Sequence, residues 1–302
     1  MNMNKGLLLG LGAYVSWGLL PVYWKALAVV PSSEIILHRV LWSVVFLAAI
    51  LTWQHNWRWI RPVLRAPQTM LILLVAALLL AINWTTYIWA VNAGFVVESS
   101  LGYFIAPLVN VVLGVLLLRE RLRPGQWVAV GLATLGVLYL TLGYGSLPWI
   151  GLTLAFTFGL YGYLQKKVRL ASLESLMVEV TYLSLPALAL LLWRESNGEA
   201  VFLNTTAWIN LLLLAAGAAT ALPLLFFGAA ARLIPLSTMG LLQYVAPTLQ
   251  FLLGVFVYAE TFTTERFIGF CIIWLALLVY TVENAGHRRA ARLQAREGQG
   301  AA

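Results

Sequence analysis

The chain is written in apolar blocks about twenty residues long, each closed by a short polar or proline-marked break. A helix rising 1.5 Å per residue needs ~20 mostly apolar residues to cross the hydrocarbon core of a bilayer. Ten blocks meet that length: 6–28, 33–53, 70–93, 97–118, 125–143, 147–165, 174–193, 207–231, 236–258 and 266–284. The pattern predicts an all-α integral membrane protein with ten transmembrane helices. Most connections are short, so neighbouring helices run antiparallel, and only 54–69 and 194–206 leave room for small surface segments. The first block is too long for a secretory leader, and its Val29-Val30-Pro31 exit offers no small-residue cleavage site. It is read as the first membrane helix. Residues 285–302 are basic and rich in Gly, Ala and Gln, and are expected to be a frayed or disordered cytoplasmic tail.

The blocks repeat. Residues 106–115 read Ala-Pro-Leu-Val-Asn-Val-Val-Leu-Gly-Val, and 140 positions later residues 246–255 read Ala-Pro-Thr-Leu-Gln-Phe-Leu-Leu-Gly-Val. Pro107 answers to Pro247, Gly114 to Gly254, and beyond them Glu120 to Glu260. In each copy the alanine, the amide (Asn110 or Gln250) and the glycine sit four apart on one helix face. Small residues let another backbone approach, and an amide in an apolar helix bonds across an interface. Each proline lacks an N–H and crowds the carbonyl four residues back, so a kink is expected that frees the C=O of Tyr103 and of Gln243. Further echoes join Ser16-Trp17-Gly18-Leu19 to Thr157-Phe158-Gly159-Leu160, Lys25 to Lys166, Glu34 to Glu174, and Ser99-Ser100-Leu101-Gly102 to Ser237-Thr238-Met239-Gly240. Five helices per unit is an odd number, so the second unit enters the membrane inverted. The expected organisation is a first repeat over 1–143, a second over 147–284, and the tail. Inverted repeats with interrupted helices at matching positions are the architecture of secondary transporters.

Composition agrees with a membrane protein. The 302 residues are 62% hydrophobic and 10% charged, against roughly a quarter charged in soluble domains. Thirteen tryptophans and twelve tyrosines suit aromatic belts at the lipid interface. The net charge of +8 raises a nucleic-acid reading, which the placement of the charge removes. With the N-terminus inside, Lys5, Arg58, Arg61, Arg65, Arg119, Arg121, Arg123, Lys166, Lys167, Arg169, Arg232, Arg288, Arg289, Arg292 and Arg296 fall on the cytoplasmic side. Arg194 and Arg266 fall outside, and Lys25 and Arg39 lie within spans. Fifteen against two puts both termini in the cytoplasm and lets the basic residues touch anionic lipid heads.

The chain resembles drug/metabolite transporters of the EamA type and, among them, the RarD group of permeases. The residues carrying the likeness include Ala13-Tyr14 with Trp17-Gly18, Glu34-Ile35, His38-Arg39-Val40-Leu41-Trp42-Ser43, Asn83-Trp84, Ile88-Trp89-Ala90-Val91-Asn92, Ser100-Leu101-Gly102-Tyr103-Phe104-Ile105, Pro107-Leu108-Val109-Asn110 and Gln243-Tyr244. It runs from about residue 6 to 284. The resemblance implies two EamA repeats, a bacterial inner-membrane location, and movement of a small organic solute with no cofactor.

Polar groups inside spans are costly in hydrocarbon and should face the bundle interior. Tyr14, Gly18, Pro21 and Lys25 share one face of the first helix, and Asn83, Tyr87, Ala90 and Gly94 share one face of the third. Tyr103, Asn110, Tyr161, Gln165, Gln243, Tyr244 and Gln250 complete an aromatic, amide-bearing lining. The candidate solute contacts are Tyr14, Asn83, Tyr87, Tyr103, Asn110, Tyr161, Gln243 and Tyr244. Such a lining suits an amphiphilic, aromatic or zwitterionic molecule, with export as the expected direction. Competing readings are plain: the tyrosines as belt residues, Asn83 and Asn110 as interhelical glue, Trp84 and Trp89 facing lipid, and Glu283 solvated. His38, Arg39 and Glu179 are ionisable groups in mid-membrane segments, read as a coupling site or an ion pair. A proton can pass through His38 or Glu179. Arg39 and Glu179 are 140 residues apart, which predicts that they approach each other directly or through an amide or water.

Other functions fit less well. There is no aspartate for an intramembrane aspartyl protease, no His-Glu-x-x-His and no Walker A motif. Cys271 is alone, and three dispersed histidines make no metal site. An integral membrane enzyme acting on a small or lipid-like substrate stands as the alternative. A scaffold or sensor would carry a sizeable soluble domain, and the blocks leave no space for one.

Overall fold

A computed structural model describes residues 3–118, 122–144, 147–231, 233 and 242–300. Among them all regular structure is helical: α1 (Met3–Ala26), α2 (Ser32–Trp53), the short α3 (Ile60–Leu64), α4 (Pro67–Asn92), α5 (Val96–Leu118), α6 (Pro124–Tyr144), α7 (Trp149–Lys167), α8 (Ser172–Ser196), α9 (Ala207–Ala231), α10 (Val245–Leu252) with a π-helical turn over Leu253–Val257, and α11 (Thr264–Gly300). Seven of the described helices are long and apolar enough to cross a membrane: α1, α2, α4, α6, α8, α9 and α11.

Local sequence explains where the helices begin and end. Pro67 stands at the first position of α4, where its missing N–H costs nothing. At the other end Gly94 adopts φ +87°, and the N–H groups of Phe95 and Gly94 return to the carbonyls of Ala90 and Val91. That pairing is the Schellman closure, and its left-handed residue favours glycine. α8 closes in the same way on Gly198, and α2 on His55 at φ 49°.

Helix starts recur at one interval. Ser32 and Ser172, Pro67 and Ala207, and Pro124 and Thr264 are each 140 residues apart (172 − 32, 207 − 67, 264 − 124). Packing is densest between α6 and α11, α5 and α7, α1 and α9, α2 and α9, α4 and α7, and α2 and α8. Each of these contacts joins the first half of the chain to the second. The closest approach is α9 on α2: a Cβ on Gly217 would lie 2.2 Å from the Trp42 carbonyl oxygen and 2.7 Å from the Ser43 nitrogen. Hydrogen there is a packing requirement, since any side chain would push two backbones apart.

Two expectations change. The ninth apolar block is not one helix kinked by Pro247: Gln243 and Tyr244 form a turn, and α10 starts at Val245. Pro247 therefore sits in a first turn, where no intrahelical N–H bond is lost. Residues 234–241 lie outside the described part. The tail after residue 284 is not disordered in the structure but continues α11 to Gly300. Its Ala, Arg, Gln and Glu are strong helix formers, and no proline interrupts them.

Candidate functional site

Arg39 is a buried cation with no ion-pair partner among the described residues. α2 carries it inward, where 5% of it stays exposed. Its guanidinium lies 4.0 Å from the ring centre of Trp84 on α4 and 5.1 Å from that of Trp24 on α1. A desolvated cation over an aromatic face gains about 2 kcal/mol. Two rings thus roughly match the 2.5–3.5 kcal/mol, order of magnitude, that a charge costs at a helix centre on insertion scales. They do not satisfy the N–H groups, however, and Nε and Nη1 are buried with no hydrogen-bond partner among the described residues. Tyr23, Tyr87 and Tyr103 lie within electrostatic reach of the same charge. Tyr23 donates to the Leu212 carbonyl, whereas the buried Tyr87 hydroxyl and the Trp24 indole N–H have no partner among the described residues.

An aromatic line leaves this cage. Tyr87 stands edge-on to Tyr103 at 5.8 Å, Tyr103 to Phe158 of α7 at 6.5 Å, and Phe158 lies 6.2 Å from Tyr161. Tyr161 donates its hydroxyl to Oε2 of Glu179 on α8 at 3.1 Å, and Gln165 donates Nε2 to Oε1 at 2.5 Å. Glu179 is fully buried. Two donors from one helix face, Tyr161 and Gln165 at i and i+4, hold both of its oxygens. A buried cation and a buried carboxylate therefore mark the two ends of a wall of rings.

The other acidic groups are committed elsewhere. Glu34 accepts the N–H groups of Val201 (2.9 Å) and Phe202 (2.9 Å) and lies 3.9 Å from His38 Nε2 and 3.7 Å from Arg194 Nε. Glu98 accepts the Ile150 N–H at the start of α7. Glu260 accepts the Val96 and Val97 N–H groups at the start of α5, each at 2.8 Å. Burial pushes the Glu260 carboxyl above its ordinary value, while those two N–H groups and Lys25 pull it back. Glu283 is not merely solvated: both oxygens engage Arg123 at 2.7 Å.

The sequence pattern of the EamA-like transporter family matches residues 4–142 and, a second time, residues 147–282. This chain belongs to that family. A RarD protein of Streptomyces exfoliatus is 48% identical over 296 residues, covering 97% of this chain and 94% of its own length. An uncharacterized transporter of Pseudomonas aeruginosa is 47% identical over 286 residues, covering 93% and 95%. The RarD protein of Escherichia coli K12 is 42% identical over 281 residues, also covering 93% and 95%. A solved crystal structure at 19% identity superposes with a TM-score of 0.56 over 93% of this chain and 98% of its own, a likeness of fold alone. The chain is thus a multi-pass membrane permease of the EamA-like family, and relatives of Pseudomonas aeruginosa, Vibrio cholerae and Bacillus subtilis are named as transporters.

In this EamA-like chain the expected site residues divide into groups. Tyr87, Tyr103 and Tyr161 fall on the ring wall, with Arg39 and Glu179 at its ends. Asn83 is spent on packing: its Nδ2 donates to the Leu154 carbonyl at 3.0 Å and the Thr157 hydroxyl at 2.8 Å, tying α4 to α7. Tyr14 belongs to a separate cluster with Trp17 and Phe227, about 15 Å along α1 from Trp24 at 1.5 Å per residue. Gln243 sits in the turn before α10, and Tyr244 packs against the core of α5, α6 and α11. The Asn110 side chain lies outside the described residues. Gln250 does bond across an interface, donating to the Trp17 carbonyl at 3.1 Å.

Of the arrangements expected for Arg39 and Glu179, the direct pair is not formed. Among the described residues no ion pair joins them, because Tyr161 and Gln165 take the carboxylate and tryptophan rings take the guanidinium. His38 faces away from both: its Nδ1 accepts the Trp42 indole N–H at 3.2 Å and its ring lies against Phe202. The sequence reading missed Trp24, Trp84 and Phe158. Trp84 and Phe158 each stand three positions before a tyrosine of the wall, so helical spacing held the signal.

Proposed function

We propose that this chain is a secondary transporter that exports a small amphiphilic, aromatic or zwitterionic solute across the bacterial inner membrane by alternating access. The observation that carries the reading is the ring wall running from Arg39 to Glu179 through Tyr87, Tyr103, Phe158 and Tyr161. Aromatic faces accept a flat apolar body, and unlike charges at the two ends suit the poles of a zwitterion.

The transport cycle rests on two inverted five-helix repeats, 1–143 and 147–284, with ten spans and both termini cytoplasmic. Exchange of α1 with α7, α2 with α8, α4 with α9, α5 with α10 and α6 with α11 carries the described contacts into one another: α1–α9 becomes α7–α4, and α5–α7 becomes α10–α1. Side-chain ties follow the same exchange. Glu34 at the start of α2 holds the connection after α8, and Glu174 at the start of α8 accepts Asn56 Nδ2, at 3.0 Å, from the connection after α2. Such a pair of mutually clasped units supports rocking of one against the other about a site between them. α6 and α11 pack chiefly on each other and on α5, which supports a peripheral place for them. Glu179 or His38 passes the coupling proton, and the basic cytoplasmic face meets anionic lipid heads.

Untargeted mass spectrometry of medium from cells overexpressing or lacking the chain identifies the exported solutes. The labelled solute is then offered to proteoliposomes preloaded with the unlabelled compound. Protein-dependent counterflow is expected. Chemical conversion of the solute without counterflow would replace transport by catalysis.

A further inference from the structure

We propose that Arg39, with the Tyr87 hydroxyl and the Trp24 indole N–H, binds a carboxylate of the transported solute. This rests on the transporter reading above and names the solute's chemical class. Four hydrogen-bond donor positions, Arg39 Nε and Nη1, Trp24 Nε1 and Tyr87 Oη, are buried without a partner among the described residues. Buried polar groups are nearly always paired, so a concentration of unpaired donors marks a place where an acceptor is missing. The residues belong to three helices, α1, α2 and α4, yet converge on one charge: Trp24 lies 5.1 Å from the guanidinium, and Tyr87 is within its electrostatic reach.

Among the described residues no acceptor supplies the need. The buried carboxylates of Glu34 and Glu179, and those of Glu98 and Glu260, hold donors of their own. A structural cation of a packed core would have drawn one of them in. The aromatic cage keeps the cation in place while leaving its N–H groups open, so the unoccupied protein retains the binding capacity.

Charge and shape select the ligand. A guanidinium fork matches a planar carboxylate. The lysines of α1 stand apart from it, Lys25 over the Tyr258 ring and Lys5 exposed near the helix start, and the His38 ring accepts a hydrogen bond at Nδ1 and so brings no second charge. One net positive charge in a low-dielectric setting balances one negative charge and leaves a dianionic phosphate in excess. The ring wall beginning at Tyr87 and Tyr103 then receives the rest of the molecule.

The test uses cells lacking the chain, complemented at matched membrane abundance with wild type, Tyr87→Phe, Arg39→Lys and Arg39→Gln, and untargeted mass spectrometry of medium and cytoplasm. Solutes whose distribution follows the wild-type chain are expected to carry a carboxylate. Arg39→Gln should abolish their export and Arg39→Lys reduce it strongly. Tyr87→Phe is the discriminating variant, because it removes an oxygen that bonds nothing among the described residues, and folding is expected to stay intact. It should lower flux by about tenfold, the scale of a hydrogen bond to a charged group. In proteoliposomes the methyl ester of an identified solute should compete at least about tenfold more weakly than the acid. Transported solutes without an ionised acid, or full flux in Tyr87→Phe, would overturn the carboxylate assignment and leave the transporter reading standing. If no solute follows the chain at all, the transporter reading fails and this inference falls with it.

Discussion

Buried side chains here separate by whether their bonding capacity is used up. Asn83 has both of its interhelical bonds, to Leu154 and Thr157, inside the bundle. Asn83→Ala should therefore lower the amount of protein in the membrane, at about 1 kcal/mol per lost bond, with export per molecule close to wild type. Quantitative immunoblotting beside a flux assay checks this, and a variant normal in amount but dead in export would return Asn83 to the solute contacts. Glu179 is different, because a carboxylate held by one hydroxyl and one amide can take up a proton without losing the Tyr161 and Gln165 donors. Glu179→Gln should retain counterflow yet lose accumulation driven by an imposed proton gradient. Gradient-driven uptake that survives in Glu179→Gln and fails in His38→Gln would move the coupling site to α2. Residue types alone single out Arg39, Glu179 and Tyr87 as site candidates. Which acceptor each donor meets is a matter of geometry that a 140-residue spacing does not encode, and the Glu179 oxygens take Tyr161 and Gln165 in place of a direct bond to Arg39.

Helices were legible because hydrophobic length is a strong signal when the solvent is lipid. The starts of α2, α4 and α6 fall near the expected block edges, each behind or upon a proline. The ninth block shows the limit of that signal: apolar composition continues smoothly through Gln243 and Tyr244, so hydropathy cannot register a backbone turn there. The tail shows the opposite limit, since polar composition alone does not decide between coil and helix. Element contacts give a sharper test. Gly217 lets α9 lie against the α2 backbone, and a methyl group there would fall 2.2 Å from the Trp42 oxygen. Gly217→Val should cost at least about 1–3 kcal/mol as an overpacking change, read as lost membrane abundance and a lower melting temperature in detergent. Gly131→Val on α6, where a Cβ meets nothing within 4 Å, is the matched control and should behave as wild type. Equal loss in both would mean that the α2–α9 contact is not what the glycine protects.

At the scale of the molecule, two matches to one family pattern and a common 140-residue interval between helix starts describe a chain built from two similar units. The inverted direction proposed above rests on charge. Units of five helices related by a two-fold axis in the membrane plane would place the Glu34 tie to the 201–202 connection on one face and the Glu174 tie to Asn56 on the other. Arg194, 3.7 Å from Glu34, would then lie on the outer side, and Arg58, Arg61 and Arg65, near Asn56 in the chain, on the inner side. Lys and Arg stay on the cytoplasmic side of short loops because translocating them is disfavoured. In a Cys271→Ser background, single cysteines replacing Gly145 or Arg194 should react with a membrane-impermeant maleimide in intact spheroplasts. Cysteines replacing Arg123 or Lys167 should react only after permeabilisation. The Arg123 position carries the most weight, because it ends the connection between α5 and α6 in the first unit, opposite the Glu260 connection of the second. Labelling of Arg123→Cys in intact cells, together with Arg194→Cys, would place both connections on the same side. Two parallel units would then replace the inverted pair, and alternating access would need an axis along the membrane normal instead.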